Sequence, residues 1–264
     1  MKNIKMKKDL AVCVVADFKY LFKYFYVFKK NLQLNGNYSG EILIITSLLS
    51  PTFLLPSTYG SKVKVLRKKK IKLSRSTIDI LNSNDTKGQP NRNINKKFQW
   101  HKINLFDTSI KNWNYIFYLD INMKIHNDIS GILSIKPENK IFARADSYPE
   151  YKNNLSSQFD KNTESYIKLK EKYDLTINNY FQTGLLYFDT NIVNTKTKER
   201  LIQLSEEYPC TITNEQAICN LYFIFEENLY EELVAEINDR ISYFYWMLPD
   251  KKVIITKQNR IQYK

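Results

Sequence analysis

In the first half of the chain, short apolar runs alternate with segments whose apolar residues recur at helical spacing. Leu10–Ala16 and Glu41–Ser47 predict buried strands, and Phe18–Lys30 between them predicts a helix because its apolar residues recur at helical spacing. A third strand is predicted over Val63–Leu66, where a basic run ends it. This order of strand, helix and strand predicts an α/β fold with a mainly parallel central sheet flanked by helices.

The second half continues the alternation. Strands are predicted over Tyr115–Leu119, Ile141–Arg144 and Tyr180–Asp189, and helices over Lys96–Phe106, Ile129–Leu133, Thr195–Glu207 and Asn214–Phe225. The polar segment Tyr148–Asn162 predicts a flexible lid or acceptor loop. Gly184 falls inside a predicted strand, where an isolated glycine indicates a close approach of backbone or ligand. The 264 residues suit one domain over 1–264.

Composition bounds the partners and the compartment. The formal net charge of +13 indicates attraction to anions, whether nucleotides, nucleic acid, a phosphorylated substrate or an acidic membrane surface. Three scattered cysteines form neither a disulfide framework nor a zinc motif, which favours a reducing, cytoplasmic compartment, or the host cytoplasm if an AT-rich large DNA virus encodes the chain. We expect no signal peptide and no transmembrane segment, and peripheral membrane contact is left open.

The strongest candidate for chemistry is the end of the Tyr115–Leu119 strand. Asp120 follows this apolar run directly, and Asn122 comes two residues later. In an extended backbone these two side chains point the same way, so both offer oxygen ligands to one Mg²⁺ or Mn²⁺ ion. Ligands bind at this end of the strands in open α/β sheets. The alternative is a polar strand exit that caps the following turn.

Four segments in order resemble the glycogenin-like, family 8 glycosyltransferases of the GT-A fold. They are Ala16–Tyr20 after the first strand, Lys96–Trp100 before Tyr118–Asn122, then Tyr180–Asp189, and finally Asn214–Asn220. The family shows a Tyr-Leu-Asp-x-Asp strand, an Asn-Ser/Ala-Gly segment and an Asp-Gln-x-x-x-Asn helix. The resemblance implies a retaining enzyme that moves a sugar from a nucleotide-diphosphate donor, usually a UDP-sugar, to a glycan or protein hydroxyl, assisted by Mn²⁺ or Mg²⁺.

The resemblance also implies a nucleotide-binding half of about 1–125, a sugar and acceptor half of about 126–264, and a role for individual residues. Asp120 and Asn122 take the metal positions, and Lys96 takes a donor-phosphate position. Tyr20 takes the place of an aromatic ring that stacks on the base, and Asp146 that of a carboxylate that contacts the donor sugar. The sugar pocket is implied to contain Gln182, Thr183, Gly184, Glu215 and Gln216, with Asp120, Glu215 and Gln216 as the catalytic group.

Two departures from the family weaken the metal site. Asn122 is neutral where the family has an Asp, and no late histidine follows, since the only two are His101 and His126. Lys257 is the nearest counterpart of a late diphosphate-binding lysine. A metal-poor enzyme, or one in which a cation of the protein replaces the metal, is therefore an alternative.

Two competing functions stay open at this point. One is a degenerate transferase that binds a nucleotide-sugar or glycan without turnover, as the neutral Asn122 and the missing histidine indicate. The other is a nucleic-acid-binding module, but the basic residues are scattered and no basic-aromatic motif is recognisable, so we expect no nucleic-acid partner.

Overall fold

The computed structural model describes residues 7–84, 97–244 and 252–257. The α-helices are α1 (Phe18–Leu34), α2 (Arg75–Ser83), α3 (Ser130–Ser134), α4 (Glu164–Lys172), α5 (Thr197–Glu207) and α6 (Glu215–Asn220). The strands are β1 (Lys8–Val15), β2 (Glu41–Ser47), β3 (Val63–Lys68), β4 (Trp113–Leu119), β5 (Met123–Ile125), β6 (Ile141–Ala143), β7 (Leu185–Asp189), β8 (Tyr230–Glu232), β9 (Glu236–Ile237), β10 (Arg240–Phe244) and β11 (Val253–Lys257). A 3₁₀-helix spans Lys97–Phe106, and α6 continues as a π-helix over Leu221–Glu226.

The central sheet has seven strands in the order β3-β2-β1-β4-β7-β6-β8. Strands β3, β2, β1 and β4 are mutually parallel, while β7 runs antiparallel to both β4 and β6. Helices cover the sheet, and two apolar clusters fill the space between the layers. The predicted α/β class with a mainly parallel sheet is therefore confirmed.

Helix α1 shows how local sequence sets these elements. The Asp17 carboxylate accepts a hydrogen bond from the backbone N–H of Tyr20 at 2.8 Å, which caps the first turn. The buried residues Leu21, Phe25 and Phe28 recur at helical spacing and pack against the sheet. The helix therefore begins directly after β1, at the carboxyl end of that strand.

A second, smaller sheet was not predicted. Its strand order is β5-β11-β10-β9, and β11 pairs antiparallel with β5 so that Lys257 lies opposite Met123. These strands are short, and their partners are distant in sequence, which leaves little local signal. Within the residues described, no helix has the length and apolar character needed to cross a membrane.

Two predictions about local structure were wrong, one about a flexible lid and one about a strand, while the alternative acceptor role of the Tyr148–Asn162 segment stays a prediction. The Tyr148–Asn162 segment is packed rather than lid-like: Leu155 and Phe159 are buried, and a 3₁₀ turn over Leu155–Gln158 holds its middle. Gly184 precedes β7 instead of lying inside a strand, because β7 begins at Leu185.

Candidate active site

Asp120 stands at the carboxyl edge of the central sheet. Strand β4 ends at Leu119, and the carbonyl of Asp120 then accepts a hydrogen bond from the N–H of Met123 at 2.9 Å. This bond closes a turn over Asp120, Ile121 and Asn122. The extended backbone assumed in the sequence argument therefore stops before Asn122, and strand alternation no longer places the two side chains together.

Three groups hold the Asp120 carboxylate. Tyr118 donates its hydroxyl hydrogen bond to Oδ1 at 2.7 Å, Lys102 Nζ lies 3.0 Å from Oδ1, and Lys257 Nζ lies 3.0 Å from Oδ2. Burial alone would raise the pKa of Asp120, but the two ammonium groups outweigh it and hold that pKa well below its usual range. The carboxylate is thus ionised and neutralised by the protein itself.

Lys102 is a central residue of the site that the sequence did not reveal. It lies in the 3₁₀-helix, is 8% exposed, and places Nζ 3.0 Å from both Asp120 and Glu215. Burial lowers the pKa of Lys102, but the two carboxylates more than offset this effect and raise the pKa above its usual value. Its apolar sequence neighbours Trp100 and Ile103 are buried, but they do not by themselves distinguish Lys102 from a solvated helical lysine.

Glu215 links this charge cluster to the next segment. Its Oε1 accepts a hydrogen bond from the Thr183 hydroxyl at 2.9 Å, and its Oε2 is buried with no partner in the part of the chain described. A buried carboxylate oxygen that lacks a donor is costly. The group therefore favours a ligand hydroxyl that would supply one.

A chain of amide contacts extends from Thr183 to Asp146. Gln216 accepts from the Thr183 N–H at 3.3 Å and donates to Gln158 at 3.0 Å, and Gln158 donates to Asp146 at 2.9 Å. Gln182 also donates to Asp146. Asp120, Lys257, Glu215, Gln216, Thr183, Gln182 and Asp146, all predicted, thus lie in one polar network.

Asn220 fixes the two segments that carry this network. Its side-chain amide donates to the carbonyl of Phe181 at 2.8 Å, and its oxygen accepts from the N–H of Phe181 at 2.7 Å. This pairing ties α6 to the Phe181–Gly184 segment. It gives a physical reason for an asparagine five residues after Glu215.

Gly184 lies where a side chain would intrude on the network. An added Cβ would be 2.8 Å from Met123 Cε, 2.9 Å from the Tyr243 hydroxyl and 3.8 Å from Asp120 Oδ2. The Gly184 carbonyl also accepts from the Asp120 N–H at 2.9 Å. The close backbone approach expected of this glycine is therefore present.

Other predicted residues lie apart from the network. Tyr20 is 44% exposed in the first turn of α1, and Asn122 lies in the turn after β4. Lys96 lies outside the described residues. His101 is buried beside Asn104, and His126 bonds Thr256 at 2.8 Å, so neither histidine joins the Asp120 cluster.

The donor groups around Asp120 do not fit a divalent cation. No group of three or more His, Cys, Asp or Glu side chains suited to a metal ion occurs in the described ranges. Both Asp120 oxygens are already paired with ammonium nitrogens, and two unit charges 4 Å apart repel by about 4 kcal/mol at an effective dielectric of 20. Because a divalent cation carries two charges, its repulsion from each of the two lysines would be twice this value.

The fold resembles those of solved glycosyltransferases. Galactosyltransferase LgtC, solved with donor and acceptor sugar analogues, gives a TM-score of 0.55 at 12% identity over 84% of this chain and 72% of its own. Mouse xyloside xylosyltransferase 1 gives a TM-score of 0.54 at 12% identity, over 97% of this chain and 99% of its own. GlyE of Streptococcus pneumoniae TIGR4 gives a TM-score of 0.53 at 12% identity, over 89% of this chain and 47% of its own.

At these identities the likeness concerns the fold, which is that of GT-A glycosyltransferases. No family model and no curated protein sequence matches the chain.

Proposed function

We propose that this protein transfers a sugar from a nucleotide-diphosphate donor, a UDP-sugar, to a hydroxyl group of a glycan or protein, with retention of the anomeric configuration. One observation carries the proposal: at the carboxyl edge of a GT-A sheet, a single polar network joins the lysine-paired Asp120 to Glu215, Gln216 and Asp146. This edge is where open α/β sheets bind nucleotides.

The lysines would bind the donor diphosphate. Lys102 and Lys257 balance the two carboxylates of Asp120 and Glu215, so the cluster carries no net negative charge, and the partly exposed Lys257 is its ammonium group most accessible to the phosphates. As the diphosphate leaves, negative charge develops on it, and a preorganised cation stabilises that charge. Lys96 is proposed to add a further phosphate contact.

The amide and carboxylate groups would bind the sugar. Asp146, Gln182 and Glu215 offer acceptors and donors for sugar hydroxyls, and Gln216 is proposed to lie near the reacting carbon. Thr183 positions Glu215 and Gln216 through its hydroxyl and its N–H. Tyr20 is proposed to stack on the base. No covalent intermediate is assigned.

Manganese is the one expected component that the site does not fit. The role of Asp120 and Asn122 as metal ligands stays a prediction that rests on the resemblance alone. In this proposal the lysines, rather than a metal ion, neutralise the charge of the diphosphate.

The test is a thermal-shift panel of nucleotide-sugars, followed by product analysis with the ligand that stabilises the protein. A donor that binds only the folded state raises the melting temperature. We expect one UDP-sugar to do so and to yield a glycoside on a hydroxyl acceptor or, without an acceptor, free sugar and UDP. Asp120→Asn keeps the size of the side chain and should abolish product. Loss of the ion pairs to Lys102 and Lys257 should also lower its melting temperature, so the melt must show that the variant is still folded at the assay temperature.

A degenerate binding protein is the second candidate, because neutral Asn122 replaces an expected carboxylate. Binding of a donor without product across many acceptors would support it. Absence of binding to every nucleotide-sugar would refute both functions.

A further inference from the structure

The outer side of α1 and the loop after β2 expose large apolar side chains together. On α1, Phe22 is 72% exposed and Tyr26 is 65% exposed. In the loop, Leu49 is 94%, Phe53 65% and Leu54 59% exposed. Isolated exposed apolar residues need no explanation, but a contiguous group of this size marks an interaction surface.

Contacts between the helix and the loop make this one surface. Phe22, Tyr26 and Lys29 lie on one side of α1 because they are spaced by four and three residues. The Lys29 ammonium donates to the carbonyls of Ser57 at 3.3 Å and Tyr59 at 3.4 Å, so this side of the helix borders the loop. Buried Leu55 packs with Phe25 and Phe28 beneath it. We call this combined surface, of α1 and residues 48–59, the α1 face.

The charge of the α1 face has a single sign. The segments 18–34 and 48–62 contain no Asp or Glu, whereas α1 carries Lys19, Lys23, Lys29 and Lys30. Of these, Lys19, Lys23 and Lys30 are exposed among the apolar residues of the outer side. Apolar side chains interleaved with lysines are typical of a helix that lies in the headgroup region of an anionic bilayer.

We propose that the α1 face docks the protein on an anionic phospholipid membrane. Phe22, Tyr26, Phe53 and Leu54 enter the boundary of the acyl chains, and the lysines meet the headgroup phosphates and carboxylates. A second copy of this chain is a poorer occupant, because two such faces would bring lysines against lysines with no acid between them. The phosphates of a nucleic acid would pair with the lysines, but the aliphatic side chains of Leu49 and Leu54 would remain exposed to water.

The α1 face lies at the same edge of the central sheet as the candidate active site, so docking would bring that site close to the membrane. Helix α1 follows β1 and the loop follows β2, and both strands run parallel to β4, which Asp120 follows. The face therefore begins at the same sheet edge as the candidate active site. A docked protein would hold that edge next to the membrane surface. This proposal does not depend on sugar transfer.

The test is flotation of the full chain with vesicles of phosphatidylcholine alone or with about one-third phosphatidylserine. We expect binding to the anionic vesicles, weakened by salt. Phe53→Ser/Leu54→Ser and Phe22→Ser/Tyr26→Ser should each lower the partition coefficient at least about tenfold, since each removes two inserted side chains. Lys19→Gln/Lys23→Gln/Lys30→Gln should lower it about a hundredfold at low salt and reduce its salt dependence.

Ile167→Ser is the matched control, because Ile167 is 50% exposed on α4. It should bind like the wild type, and unchanged melting temperatures will show that every variant is folded. The proposal is overturned if anionic vesicles do not bind, or if the control loses as much binding as the variants of the α1 face. It is equally overturned if sedimentation shows that these variants only convert a dimer to a monomer.

Discussion

Lys102 places its ammonium nitrogen 3.0 Å from Oδ1 of Asp120, at a point where both side chains are largely buried. The same nitrogen lies 3.0 Å from Glu215 Oε1. One lysine thus keeps two carboxylates together, and its pKa stays high enough that the charge is permanent near neutral pH.

Lys102→Met should therefore destabilise the fold strongly. The variant leaves two buried carboxylates with a single remaining cation, Lys257, and a broken buried ion pair typically costs about 3–5 kcal/mol. Urea denaturation measures the change in the free energy of unfolding. Exposed Lys161→Met is the control and should change it by less than about 0.5 kcal/mol. If both variants unfolded at the same urea concentration, Lys102 would not be needed to balance the charges of Asp120 and Glu215.

The dependence of donor binding on metal is a second prediction. Because ammonium groups already neutralise Asp120, the donor should raise the melting temperature equally in EDTA and in Mn²⁺. Asn122→Asp/Lys257→Ala removes one of these cations and adds a carboxylate, so donor binding by this variant should require Mn²⁺. If the wild type lost donor binding in EDTA, donor binding would require a metal ion, and the role given to the lysines would be rejected.

Gly184→Ala should impair both activity and stability. The new Cβ falls within 3.0 Å of Met123 Cε and the Tyr243 hydroxyl, and the flexible methionine end can move at an overpacking cost of about 1–3 kcal/mol. Displacement of the Tyr243 hydroxyl, which donates to Gln182 at 3.3 Å, by a fraction of an ångström should lower kcat about tenfold. Steady-state kinetics and thermal melts measure the two effects. Wild-type kcat would show that the tight backbone approach is not needed.

Asp107 provides a pH test away from the site. Its carboxylate lies 2.7 Å from Lys68 Nζ and 3.1 Å from Lys198 Nζ, and it accepts from the Ser109 N–H. Burial raises the pKa of Asp107, but these partners outweigh burial and hold that pKa below its ordinary value of 3.8. Its stabilisation is therefore complete above about pH 4 and is lost as the pH falls further.

The variant for this test is Asp107→Asn. At neutral pH it should lower the free energy of unfolding by about 1–3 kcal/mol. The difference from the wild type should stay constant from neutral pH down to about pH 4 and shrink below it. Urea titrations at several pH values give the curve, and a difference that grows on acidification would reverse the assigned sign.

Sequence reasoning succeeded where the signal is local. The Glu41–Ser47 strand has the predicted bounds, because a continuous run of Ile and Leu between polar residues fits only a short buried strand. Asp120 was located for the same reason, since a carboxylate that ends an apolar run stands at the edge of a sheet.

Other parts of the site depend on contacts that the sequence does not display. Lys102 resembles a solvated helical lysine until Asp120 and Glu215 are brought to either side of it. Asn122 was assigned through strand alternation, which the turn at Asp120 interrupts. The Tyr148–Asn162 segment is polar in composition, yet Gln158 is buried because it bridges Asp146 and Gln216.

The pairing of β11 with β5 has a consequence for synthesis of the protein. Lys257 reaches Asp120 across 137 positions of sequence, so a ribosome exposes the carboxylate long before its second ammonium partner. The seven-stranded sheet can assemble on the emerging chain, whereas the charge arrangement at its edge is completed only once β11 has been synthesised. Nascent chains that stop short of β11 should therefore fold without the complete set of charges around Asp120.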